Sequence, residues 1–420
     1  MNTMKKTLSL LLVCLAICLT QTIAVQAREH GERYQLTQVL ALSRHGVRAP
    51  LYGKDSFAVR STPHKWLAWS AQPGELTVKG GAAETLMGQY FRLWLEDEGL
   101  LPHNYLPAAG EVRVYANSFQ RTIATARFFT AGMMPLGNIE VERHLAIDEA
   151  DPVFMPGAPN FTPALEKQTL KEVESVGGIE QFGTNLQEDC NITSEVLDFG
   201  RSVEGRGQGS INASDISLNL DKGLKIEGAL RNLHRSADAL VLQYYEEPND
   251  RKAAFGHEIG LQEWLAIGRG AYCTLDFLYT TPTYDAVYAH GLLSTMQQEL
   301  ANDQRKFTFL CGHDINLATV LPALGVENYV LEGSLAPRTP LSGKLVICVW
   351  QGEDGEYADL RLVYPGLEQL RHLEPLSLAR PPQVKRLKLK GLKANEEGLY
   401  RLEDLQERFA SALAVKAKYL

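Results

Sequence analysis

Short apolar runs that end at polar residues recur along the chain, and such runs are typical of buried β-strands. They cover residues 36–42, 112–115 and 306–311. Between the first two lies the stretch 78–95, whose apolar positions recur at helical spacing. A strand, a helix and a second strand in this order predict parallel strands joined by a right-handed crossover.

Two later stretches, 344–350 and 358–364, alternate in part between apolar and polar residues, which indicates added antiparallel strands. From 148 to 275 prolines, glycines and polar residues interrupt the strand pattern, and the longest helical stretch there is 230–245. We therefore predict an α/β fold with a mixed, mainly parallel central sheet flanked by helices. Its core would comprise residues 28–147 and 276–420, with a smaller, mostly helical insertion at 148–275.

The N-terminus has the pattern of a secretory signal peptide spanning residues 1–27. Lys5 and Lys6 precede an apolar stretch at 8–19, and small residues occupy positions 25 and 27. The pattern predicts a periplasmic or secreted protein with no membrane association. Cys18, late in the apolar stretch, leaves a lipid anchor open as an alternative.

The charge of the chain limits its partners. The formal net charge is −8, and it becomes −10 without the signal peptide, which carries two lysines and no acidic residue. A negative surface does not attract polyanions, so nucleic acid is not an expected partner. A phosphate site in this chain must be built locally from a few converging cations.

Four cysteines remain after the signal peptide, namely Cys190, Cys273, Cys311 and Cys348. In an exported protein they allow up to two disulfides, in any of three pairings. Cys311 and Cys348, however, lie in apolar runs, where buried free thiols are common. The spacing of cysteine, histidine and acidic residues matches neither a zinc site nor an EF-hand, so we predict no metal or cofactor.

The residues that follow the predicted strands carry the candidate chemistry. The first strand leads into Arg44-His45-Gly46-Val47-Arg48-Ala49-Pro50, in which a histidine lies between two arginines. Guanidinium groups match phosphate oxygens in geometry and charge, and a neutral imidazole can attack phosphorus. The second strand leads to Arg121 in the first turn of a helix, for which Asn117 or Ser118 is a plausible cap. The third leads to His313-Asp314.

The heptapeptide and the downstream His-Asp pair together resemble the signatures of the histidine acid phosphatases. The resemblance implies that His45 is the nucleophile, which forms a phosphohistidine, and that Asp314 donates a proton to the leaving group. It further implies a set of substrate-binding residues that hold the phosphoryl group: Arg44, Arg48, Arg121 and His313.

Other segments resemble the bacterial periplasmic glucose-1-phosphatases, which are relatives of the histidine acid phytases. These segments are residues 61–66, 115–118, 243–246 and 338–344. The resemblance implies action on glucose 1-phosphate and gives Glu246 the role of a pocket acid that repels highly phosphorylated ligands.

Three alternatives stay open at this point. The first is a phytase, which would be favoured if Lys54, Arg60 and His64 all faced the pocket. The second is a phosphoglycerate-mutase-like transferase, although the predicted export, Arg48, Pro50 and the His313-Asp314 pair point away from it. The third is a phosphosugar-binding protein without turnover, although the presence of both His45 and Asp314 argues against it. The sequence does not specify the oligomeric state.

Overall fold

The computed structural model describes residues 29–31, 33–53, 55–157, 159, 161–221 and 223–420. The predicted signal peptide and Lys54 lie outside these residues. Within them, no helix is both long enough and apolar enough to cross a membrane.

A seven-stranded mixed sheet forms the centre of the molecule. Its strands are β1 (Gln35–Arg44), β2 (Val112–Ala116), β5 (Phe307–Gly312), β6 (Lys344–Gly352), β7 (Gly355–Tyr364), β8 (Gln383–Arg386) and β9 (Tyr400–Arg401). The strand order is β2-β5-β1-β6-β7-β8, with β9 paired to β7. Strands β1, β2 and β5 are parallel, and the others add to the sheet in antiparallel fashion. The predicted α/β fold with a mixed sheet is confirmed. The sheet is less parallel than expected, because the short strands β8 and β9 extend its antiparallel side.

Helices cover both faces of this sheet, which explains why β1 is a continuous apolar run rather than an alternating one. The helices are α1 (Phe57–Arg60), α2 (Val78–Asp97), α3 (Gln120–Met133), α4 (Pro163–Glu174), α5 (Gly178–Asn185), α6 (Gln187–Val196), α7 (Ala229–Glu246), α8 (Asp250–Ala253), α9 (Leu261–Leu278), α10 (Pro282–Tyr288), α11 (His290–Leu300), α12 (Asp314–Ala323), α13 (Leu367–His372) and α14 (Leu402–Tyr419). Val39 and Ala41 face the cluster built with α2 and α3, whereas Leu40 and Leu42 face the cluster built with α11, α12 and α14.

The segment between α3 and β5 is mostly helical, and α6, α7 and α9 pack around one hydrophobic cluster that also includes residues of the core such as Val47 and Leu341. It also contains a small hairpin of β3 (Ile216–Asn219) and β4 (Lys225–Gly228). One of its two longest helices, α9, runs to Leu278, three residues beyond the predicted end of the insertion. The exact domain limits of 148 and 275 stay a prediction, but α7 and α9 are the elements that reach the catalytic side of the sheet.

Cys190, Cys273, Cys311 and Cys348 are buried free thiols, so these four residues do not form the predicted disulfides in the structure. Cys311 and Cys348 lie in β5 and β6, as their apolar surroundings indicate, and β1 separates these two strands. Burial raises the pKa of all four thiols, which keeps them protonated and unreactive.

Candidate active site

The three parallel strands end side by side at one edge of the sheet. The backbone N–H of His45 donates to the carbonyl oxygen of Gly312 at 3.1 Å, and that of Asn117 donates to Cys311 at 2.9 Å. His313 follows Gly312 directly. The residues that leave β1, β2 and β5 are therefore neighbours, at the carboxyl edge where open α/β sheets bind ligands.

His45 is 2% exposed and has a defined tautomer. Its Nδ1 lies 2.9 Å from the carbonyl oxygen of Gly46. Because a carbonyl only accepts hydrogen bonds, Nδ1 must carry the proton, and Nε2 keeps its lone pair. Burial, followed by the charges of Arg121 and Arg44, holds the pKa of His45 well below its usual value. The imidazole is therefore a neutral nucleophile even in acid.

The loop after His45 is fixed by the helices on either side. The N–H of Gly46 donates to Thr125 Oγ1 at 3.0 Å, and the N–H of Thr77 donates to the carbonyl oxygen of Val47 at 3.0 Å. Gly80 allows the first turn of α2 to approach this closely, since a Cβ there would lie 2.2 Å from that same oxygen of Val47. The nucleophile therefore rests on a rigid backbone.

Arg44, Arg48 and Arg121 surround His45 and carry unused hydrogen-bond donors. The Nε atom of each is buried and has no hydrogen-bond partner in the described part of the chain. A buried cationic donor without a partner is costly, so the arrangement is complete only when an anion is bound. Burial and Arg48 lower the pKa of Arg121, but only to about 10, so Arg121 stays charged in acid.

Two side chains from the helical segment between α3 and β5 hold Arg44 and Arg48 in place. Tyr272, on α9, accepts from Arg44 Nη1 through its hydroxyl oxygen at 2.9 Å. Asp238, on α7, accepts from Arg48 Nη2 with both carboxylate oxygens, at 3.0 and 3.2 Å. Sequence reasoning missed both residues, because each occupies one position in an ordinary amphipathic helix and belongs to no motif.

His313 is oriented by Asn117, which was predicted only as a possible helix cap. The Oδ1 of Asn117 accepts from two backbone N–H groups, those of Ser118 and Asp151, so its Nδ2 must face His313 Nε2, at 2.8 Å. Nε2 is thereby the acceptor, and Nδ1–H points into the site beside Arg121 Nη2 at 3.2 Å. Burial and Arg121 lower the pKa of His313 to about 3. His313 is thus a neutral hydrogen-bond donor.

Asp314 opens α12 and lies next to the arginines. Its Oδ2 is 3.0 Å from Arg44 Nη2, and its side chain is 23% exposed. Burial alone would raise the pKa of Asp314, but Arg44 and Arg48 hold it below its ordinary value. His313, not Asp314, is the N-cap residue of the helix, although Asp314 Oδ1 accepts from the N–H of Ile315 at 2.9 Å. Oδ2 of Asp314 therefore faces the arginines, while Oδ1 is held by the first turn of the helix.

The structure thus brings six of the seven predicted site residues together, namely Arg44, His45, Arg48, Arg121, His313 and Asp314. The predicted caps of α3 are wrong: Phe119 is the N-cap residue, and it makes no side-chain cap hydrogen bond. Glu246 accepts from Thr77 Oγ1 at 3.1 Å and contacts none of the arginines through a described hydrogen bond or ion pair. Its role as a pocket acid stays a prediction.

A cavity of about 500 Å³ lies on the side of the inserted helices, and none of the six clustered residues is in its lining. Ile315, the neighbour of Asp314, lies in its wall together with Tyr288 and His234. His234 donates from Nδ1 to the carbonyl oxygen of Ala271 at 2.6 Å, which leaves Nε2 available as an acceptor. The cavity has the size and the mixed apolar and polar lining of a small-molecule site.

Comparison with known proteins gives consistent relationships. The sequence model of the histidine phosphatase superfamily (branch 2) matches residues 35–175. A glucose-1-phosphatase of Salmonella typhimurium is 35% identical over 95% of this chain and 97% of its own length. A glucose-1-phosphatase of Providencia rettgeri is 30% identical, with coverages of 96% and 98%. Among solved structures, the apo form of Hafnia alvei phytase has a TM-score of 0.82 and 27% identity, and the match covers 91% of this chain and 98% of that one.

Proposed function

This chain belongs to the histidine acid phosphatases, branch 2 of the histidine phosphatase superfamily, and we propose that it hydrolyses sugar monophosphates, glucose 1-phosphate first among them, through a phosphohistidine at His45. One observation carries the proposal: three guanidinium groups, whose buried Nε–H donors have no hydrogen-bond partner among the described residues, surround a neutral imidazole. The predicted signal peptide supports export of the mature enzyme to the periplasm.

In the first half of the reaction the phosphoryl oxygens accept hydrogen bonds from Arg44, Arg48 and Arg121. Nε2 of His45 attacks phosphorus, forming an N–P bond as the bond to the ester oxygen breaks. Asp314 donates its proton to that oxygen, so that a neutral alcohol leaves. The bound phosphate offsets the charge of the arginines, which raises the pKa of Asp314 in the complex and keeps the proton available.

In the second half Asp314, now ionised, removes a proton from a water molecule that attacks the phosphohistidine. The N–P bond breaks, inorganic phosphate forms, and the N–P electron pair returns to Nε2 of His45. Asp314 ends protonated, as it began. Phosphoryl transfer depends mainly on positioning and charge stabilisation, and the fixed arginines supply both.

The choice of substrate rests on the charges around the cavity. Phytate needs cations beyond those that hold the reacting phosphate. Of the basic side chains that line the cavity, Arg231 pairs with Glu227 at 2.5 Å, whereas Lys225 has no ion pair in the described part of the chain. In the loop after Pro50, Arg60 pairs with Glu204 at 2.5 Å and His64 with Asp198 at 2.6 Å. This pairing favours a ligand with one phosphate.

We therefore expect kcat/KM for glucose 1-phosphate to exceed that for phytate by at least about tenfold, which is roughly 1.4 kcal/mol of transition-state binding. Initial rates on both substrates, at one acidic pH and with one enzyme preparation, measure the ratio. The similarity to Hafnia alvei phytase makes phytase the second candidate function. A preference for phytate would overturn the sugar-phosphatase assignment and leave the phosphohistidine mechanism intact.

Because arginines supply the positive charge at the site, we expect EDTA to leave the initial rate with glucose 1-phosphate within about twofold of the untreated value. The rates before and after treatment, and after a divalent cation is added back, test this expectation. Loss of activity that the added cation restores would show that the arginines are not the sole source of charge stabilisation.

A further inference from the structure

A second cluster of ionisable side chains, which the phosphatase reaction does not use, consists of His64, Asp198 and His257. Nε2 of His64 lies 2.6 Å from Asp198 Oδ2, and Nε2 of His257 lies 3.5 Å from the same oxygen. One ligand atom from each residue lies within 4.8 Å of the other two. The three side chains are 27%, 23% and 28% exposed, so an ion from solvent can reach them.

The local backbone aims these side chains at one point. Asp198 has φ +50°, an uncommon value for a residue other than glycine. Phe255 and Gly256, with φ of +53° and +100°, form the turn that precedes His257. The ring of His64 stacks on Phe255 at a centroid distance of 4.9 Å, which limits its rotation. The imidazoles and the carboxylate are therefore held close together before any ligand binds.

The geometry fits a tetrahedral metal ion. Zinc–nitrogen bonds of about 2.0–2.1 Å place neighbouring ligand atoms roughly 3.3 Å apart in a tetrahedral site. The distance between His257 Nε2 and Asp198 Oδ2, 3.5 Å, is already close to this separation. Nε2 of His64, now 2.6 Å from Asp198 Oδ2, needs to move away from that oxygen by only about 0.7 Å. Two imidazoles with one carboxylate suit transition metals, whereas calcium and magnesium prefer all-oxygen sites.

One cation competes for Asp198. Nη1 of Arg201 lies 3.6 Å from Asp198 Oδ2, but the Arg201 side chain is 74% exposed and can turn away into solvent. The ligands also come from distant parts of the chain, since His64 and Asp198 are 134 residues apart. This separation explains why the spacing of residues in the sequence predicted no metal site.

We propose that His64, Asp198 and His257 bind one Zn²⁺, with water as the fourth ligand. The ion clamps the loop after Pro50 to the inserted helical segment. This loop is part of the wall of the phosphate site, since the carbonyl oxygen of Gly74 accepts from Arg121 Nη1 at 3.3 Å. Among the described residues, none of the three ligands forms a hydrogen bond or an ion pair with the six clustered site residues, so the ion stabilises the wall and takes no part in phosphoryl transfer.

Calorimetric titration of the full enzyme with zinc chloride, after EDTA treatment and removal of the chelator, tests the site. We expect one Zn²⁺ per chain with a Kd on the order of 1 µM. Asp198→Asn and His257→Gln should each weaken binding by roughly a hundredfold or more, because even second-shell partners of metal sites contribute 10- to 100-fold. Asparagine tolerates positive φ, so Asp198→Asn should retain the fold.

His103→Gln is the matched control, since His103 is also an exposed histidine beside a carboxylate, that of Glu96 at 3.7 Å. This variant should bind zinc as the wild type does. Zinc should also raise the melting temperature of the wild type in a concentration-dependent way, and that of His257→Gln far less. Equal zinc affinity in the wild type and in both ligand variants, or no zinc binding to the wild type, would overturn the proposal and reduce the cluster to an ion pair.

Discussion

Replacing His45 by alanine should abolish turnover, with kcat reduced on the order of 10⁴-fold or more, because the covalent intermediate has no other nucleophile. His313, the nearest imidazole, has its ring centroid 5.6 Å from that of His45. It is not a substitute, since Nε2 accepts from Asn117 and Nδ1 carries the proton. The arginine cluster is untouched by this substitution, so the variant should still bind inorganic phosphate.

Trapping the intermediate tests this assignment directly. Wild-type enzyme that is mixed with labelled phosphate ester and denatured rapidly should carry label on a histidine, and His45→Ala should carry none. His103→Ala, which removes an exposed histidine, should keep both label and turnover. Substantial activity or label in His45→Ala would show that another residue is the nucleophile.

The sequence predicted which residues lie together at the edge of the sheet, because most of them are in short segments that follow buried strands. Continuous apolar runs identify β1 and β5, and the order of elements makes these strands parallel. Parallel strands end at the same edge, so His45 and His313 must be close although 267 positions separate them in the chain. The same reasoning places Arg121 at the end of β2.

What the sequence did not reveal depends on contacts between segments. Asp238 and Tyr272 reach Arg48 and Arg44 only because α7 and α9 pack over the edge of the sheet. Asn117 looked like a helix cap, since local hydrogen bonding favours that role. In the folded chain its amide orients His313 instead. The zinc site likewise requires three loops to meet.

Replacing Asp314 by asparagine should have the second large effect, and its size should depend on the leaving group. For glucose 1-phosphate we expect kcat to fall by about 10²- to 10⁴-fold, since an amide cannot donate the proton that the sugar oxygen needs. A nitrophenolate leaves readily without a proton. With p-nitrophenyl phosphate, His45 should therefore be phosphorylated quickly. The phosphohistidine should then be hydrolysed slowly, because no base activates the water.

Rapid mixing of Asp314→Asn with p-nitrophenyl phosphate should then release a burst of about one nitrophenolate per enzyme molecule before a slow steady state. We expect kcat of the wild type to decline as rising pH deprotonates Asp314 in the complex. The Asp314→Asn variant should lose this decline. Asp238→Asn is the matched control, since it too removes a carboxylate 3.0 Å from an arginine nitrogen. Asp238→Asn keeps the proton donor Asp314, so any loss of kcat should be similar for glucose 1-phosphate and for p-nitrophenyl phosphate. Equal losses in Asp314→Asn for the two leaving groups, with no burst, would mean that Asp314 acts only by neutralising Arg44.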